Sequence, residues 1–171
     1  LADAADELSR ALEAGEWVAA VLDDDREEGA LFGMTHTLWV ATGRCLFGFE
    51  QQLGGAVEDI PGFDFSRGLV AGVLSRLLRE GRVASSDVKG LIHELSPVDS
   101  SEAEQLDPLT LDSARLFDTV VAAYLLDSSR DAFDDAYLAD RYLQVSLAPA
   151  RGEEGAADDA PARAARTAAL A

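Results

Sequence analysis

Trp17-Val18-Ala19-Ala20-Val21-Leu22 is an unbroken apolar run of strand length. A strand wet on one side alternates apolar and polar residues; this one does not, so it reads as buried on both faces. Upstream, Leu1, Ala4, Ala5, Leu8, Ala11 and Leu12 recur at helical spacing, which predicts an amphipathic helix over 1–14 that Gly15 stops. Downstream, Asp23, Asp24, Asp25, Arg26, Glu27 and Glu28 read as a charged turn. Residues 31–41 and 44–49 read as two further strands, with Thr42-Gly43 between them and Gly43 free to take the positive φ of a tight hairpin turn. Three strands on short connections predict an antiparallel meander.

The rest of the chain alternates in type. Residues 51–64 hold Gly54, Gly55, Pro61 and Gly62 and read as a loop. Ser66 is a candidate N-cap for a helix whose stripe is Leu69, Val70, Val73, Leu74, Leu77 and Leu78, ended by Gly81. A short strand is expected over 82–85, a helix over 87–95 and a polar, acidic loop over 96–112. A strand is expected over 114–117. Asp118 or Thr119 then caps a helix through 120–126, and residues 127–130 turn. A helix over 134–143 faces Leu138, Tyr142 and Leu143 inward. Composition shifts at Ala150: residues 150–160 predict a mobile loop and 161–171, opened by Pro161, a C-terminal helix that buries little. Three antiparallel strands followed by βαβ units predict a single α/β domain over 1–171, a mixed sheet flanked by helices.

Composition narrows the function. The chain has 171 residues with 48% apolar content, too much for general disorder. Net charge is −18, from 32 acids against 14 bases, which disfavours a free-standing binder of nucleic acid or of anionic membranes. One cysteine excludes a disulfide framework or a cysteine-built zinc site. No apolar run reaches the roughly 20 residues of a bilayer span. The acidic opening Leu1-Ala2-Asp3 has no signal-peptide character, so a cytoplasmic location is expected. Opening on Leu1 rather than Met, the sequence is expected to be a piece of a longer protein.

Two stretches carry a resemblance. Leu116-Phe117-Asp118-Thr119-Val120-Val121-Ala122-Ala123-Tyr124-Leu125-Leu126-Asp127 and Asp135-Ala136-Tyr137-Leu138-Ala139-Asp140-Arg141-Tyr142-Leu143 resemble the "FDT…A-YLL" and "L-A-RYL" elements of the 3′–5′ exonuclease domain of bacterial DNA polymerase I. Upstream, Asp87-Val88-Lys89 resembles that family's "N-x-K" segment. The resemblance implies a ribonuclease-H-like fold. In active members four carboxylates from three motifs hold two divalent metals, hard cations that take oxygen ligands.

Those motifs are degenerate here. Val21 stands where the first aspartate belongs, and Asp23 takes the glutamate position. A slipped register would instead offer Asp23 and Asp25 as a pair, at the cost of shifting the strand's inward face. Leu91 occupies the place of the next metal-binding aspartate. The Tyr-x-x-x-Asp motif belongs on the last helix, yet residues 162–171 contain neither tyrosine nor acid. At most one ligand of four survives. The resemblance therefore implies a catalytically silent domain, with no catalytic, cofactor or metal residue of its own. It would be a structural spacer beside a polymerase module of the same parent, which copies DNA in replication and repair. Magnesium would belong to that module and to active relatives, and DNA would be met through the parent.

Two alternatives stay open: a nuclease with relocated ligands Asp23, Asp25, Asp87 and Asp118 converging within about 5 Å, and an acidic protein–protein module. The second predicts an exposed apolar patch rimmed by charge. Of the remaining candidates, Asp23 to Glu28 lacks the spacing of a calcium loop. Asp118 reads as an N-cap. His36 and His93 have no nucleophile partner and read as structural or surface residues. Cys45 reads as a buried, inert thiol, and Lys89, the one lysine, as a surface or salt-bridge residue. Arg76, Arg79 and Arg82 read as a solvated face.

Overall fold

The computed structural model describes residues 1–25, 35–51, 60–65, 68–95, 111–130, 133 and 135–144. In chain order the elements are α1 (Ala2–Glu13), β1 (Trp17–Asp25), β2 (Thr35–Ala41), β3 (Leu46–Gln51), α2 (Leu69–Glu80), β4 (Arg82–Ser85), α3 (Val88–Glu94), β5 (Leu116–Asp118), α4 (Thr119–Leu126) and α5 (Asp135–Leu138). A 3-10 turn, Ser113–Arg115, leads into β5, and α5 continues as a π-helical turn, Ala139–Leu143.

The strands form one mixed sheet in the order β3-β2-β1-β4-β5. β1 runs antiparallel to β2 and β2 to β3, whereas β4 runs parallel to both β1 and β5. The apolar run of β1 is central, and Val18, Ala19, Ala20 and Val21 are all buried, as its lack of alternation requires. Successive side chains point to opposite faces. Val18 and Ala20 join Leu38, Val40, Phe49 and Val83 under Leu8 of α1 and Val70, Val73, Leu74 and Leu77 of α2 in the main core. Ala19, Val21 and Ala41 form a smaller cluster with Trp39 on the other face.

Local chemistry sets the ends of the elements. Gly15 takes φ +67°, with its N–H donating to Leu12 and that of Glu16 to Ala11, so the orphan carbonyls of α1 are met and the chain turns into β1. A Cβ on Gly72 would stand 2.4 Å from the carbonyl oxygen of Asp64, so a glycine there lets α2 lie against the preceding loop.

Several boundaries differ from the sequence expectation. β1 continues through Asp25, so the predicted charged turn begins in a strand; Asp23, Asp24 and Asp25 stand opposite Thr37, His36 and Thr35. Backbone pairing needs no apolar side chains, and it outlasts the buried stretch. The hairpin between β2 and β3 does not use a positive φ at Gly43. Thr42 holds it instead: its Oγ1 accepts from the N–H groups of Arg44 and Cys45, and its own N–H donates to the Cys45 carbonyl. The third strand therefore starts at Leu46, and Cys45, on the turn, is exposed rather than buried. Tyr142 is exposed, not inward, while Leu138 is buried as expected. Arg76 is no solvated residue: it donates to Ser9 at 2.9 Å, pairs with Glu80 at 3.1 Å and stacks its guanidinium on Phe63, tying α2 to α1 and to the loop before it. Arg82 lies over Trp17. The expected N-cap Ser66, the acidic residues Glu27 and Glu28, the bulk of the 96–112 loop, the 150–160 loop and the 161–171 helix lie outside the described residues.

Candidate functional site

The C-terminal ends of parallel strands β1 and β4 open beside α3, and a cleft of about 320 Å³ lies there. In sheets of this kind the strand ends are where connecting segments diverge and ligands bind. Val21 and Leu22 contribute the β1 wall, Ser85 and Ser86 follow from β4, and Asp87, Leu91 and Glu94 come from the start and inner side of α3. Val21 and Leu91, far apart in sequence, both border this cleft, although their side chains pack in different clusters. Asp23, two residues further along β1, sits on the same face as Val21 and is half-buried.

Two of the residues that border the cleft, Val21 and Leu91, cannot be metal donors. Val21 is 2% and Leu91 1% exposed, and neither side chain carries a donor atom. Paired divalent cations require several hard oxygen ligands. Asp87 caps α3, its Oδ1 accepting from the Gly90 N–H at 2.8 Å. Its own N–H donates to Ser85 Oγ. Among the described residues no three His, Cys, Asp or Glu side chains converge as a metal-binding group.

Asp118 is an N-cap, as its place before Thr119 suggested, and it does more. Oδ1 accepts from the N–H groups of Val120 and Val121 at 3.1 and 2.9 Å, capping α4. Oδ2 accepts from the Val88 N–H at 3.1 Å, tying the start of α3 to the end of β5. One carboxylate thereby clamps two helix starts to the parallel edge of the sheet. Asp87 and Asp118, two of the candidate relocated ligands, each accept from backbone N–H groups. The side chain of Asp25 lies outside the described residues, as does that of His36. Lys89 and His93 are exposed, His93 on the cleft rim.

A second feature lies along α4. Val120-Val121-Ala122-Ala123-Tyr124-Leu125-Leu126 is apolar all round, a composition expected of a helix buried on every side. Yet only Thr119 and Ala123 of α4 are buried, while Val121 is 53%, Tyr124 52%, Leu125 77% and Leu126 73% exposed. A shallow apolar groove of about 180 Å³ runs beside them between Phe117, α4, Leu138 and Tyr142. The sequence predicts the helix but not its exposure, since an all-apolar composition signals burial. Charges flank it. Asp127, just past α4, accepts from the Ser129 hydroxyl and N–H, and these bonds, with Arg130 and Arg141 nearby, hold its carboxyl below the usual aspartate range.

No described helix is long and apolar enough to cross a membrane. Comparison with protein-family models, with curated proteins and with solved structures finds no match.

Proposed function

We propose that the chain is a catalytically silent 3′–5′ exonuclease-like domain of a bacterial DNA polymerase I, cytoplasmic, with a ribonuclease-H-like fold. Its role is to position the polymerase module of its parent rather than to cut DNA. The observation that carries the reading is that Val21 of β1 and Leu91 of α3 both border the cleft beside the end of β4. The resemblance places metal-binding aspartates at these two positions, and apolar side chains stand there. The strand order and directions, with three antiparallel strands followed by two parallel ones, agree with the layout that the resemblance implies. Hydrolysis of a phosphodiester by paired metals needs a charged clamp on both the attacking and leaving oxygens, and the side chains of Val21 and Leu91 contribute no donor to one.

The test is direct. The purified 171-residue chain is incubated with end-labelled single-stranded DNA and Mg²⁺ or Mn²⁺. The expected result is intact substrate. Stepwise shortening from the 3′ end, abolished by Asp23→Ala, would show an active nuclease and overturn the reading.

The protein–protein reading gains from one observation, the exposed apolar face of α4 with charged residues beside it. It is compatible with a silent domain, since a spacer holds its place through such surfaces.

A further inference from the structure

We draw no further inference here: the strongest candidate, the exposed apolar face of α4 formed by Val121, Tyr124, Leu125 and Leu126 with the groove beside it, carries nothing because nothing in the structure shows what covers it.

Discussion

Leu91→Asp is expected to lower the stability of the domain by about 3–5 kcal/mol, the usual cost of a buried charge left without a partner. The position is 1% exposed and packs in the main core with α1, α2 and the central strands. The neighbouring acids in the cleft, Asp87 and Glu94, repel the new carboxylate rather than pair with it. Burial and like charge both favour its protonated form, so its pKa rises in the folded state. The sign follows: a raised folded pKa penalises the native state above the unfolded pKa, and the loss shrinks as pH falls and the group protonates. Denaturant melts of the wild type and variant at neutral and mildly acidic pH measure it. A loss under about 1 kcal/mol would mean that the cleft still accommodates a carboxylate, and recovery of stability with Mn²⁺ would mean that it still supplies metal ligands. Either result contradicts the account.

Asp118→Ala is the second large effect, about 2–4 kcal/mol. Loss of an N-cap costs roughly 0.5–2 kcal/mol. The Val88 N–H, orphaned where the group is partly buried, adds about 1–3 kcal/mol. Asp118→Asn keeps one acceptor oxygen and should lose about half as much. Denaturant unfolding gives the totals, and amide exchange at Val88 should rise in the alanine variant. Equal and negligible losses in both variants, with unchanged exchange at Val88, would remove the clamp from the account.

Legibility in the sequence followed the strength of the physical signal. Trp17 to Leu22 announced a central strand because burial on both faces leaves no polar position in it. The stripe from Leu69 to Leu78 announced α2 because its apolar residues recur at one helical face. The end of β1 was misread because the three aspartates signal solvent, whereas the ladder to Thr35, His36 and Thr37 is a backbone property that side-chain type does not report. Gly43 drew attention as the turn residue, yet the Thr42 hydroxyl closes the hairpin, and Cys45 is exposed as a consequence. Asp118 was legible as a cap from its local sequence. Its bond to Val88, thirty residues back, was not, because nothing local encodes it.

The candidate site was legible only through the resemblance. Periodicity makes Val21 and Leu91 ordinary core residues, and that both border one cleft follows from β1 lying beside β4, which leads into α3. The face of α4 was hidden for the opposite reason. An all-apolar helix looks buried in a sequence, and only packing tells which sides of it are covered.

The most direct test of the silent-cleft account is anomalous diffraction from crystals of the full chain grown with Mn²⁺. The account predicts no ordered manganese in the cleft between Val21 and Leu91. Two peaks there, separated by about 4 Å as in a two-metal nuclease, would contradict it.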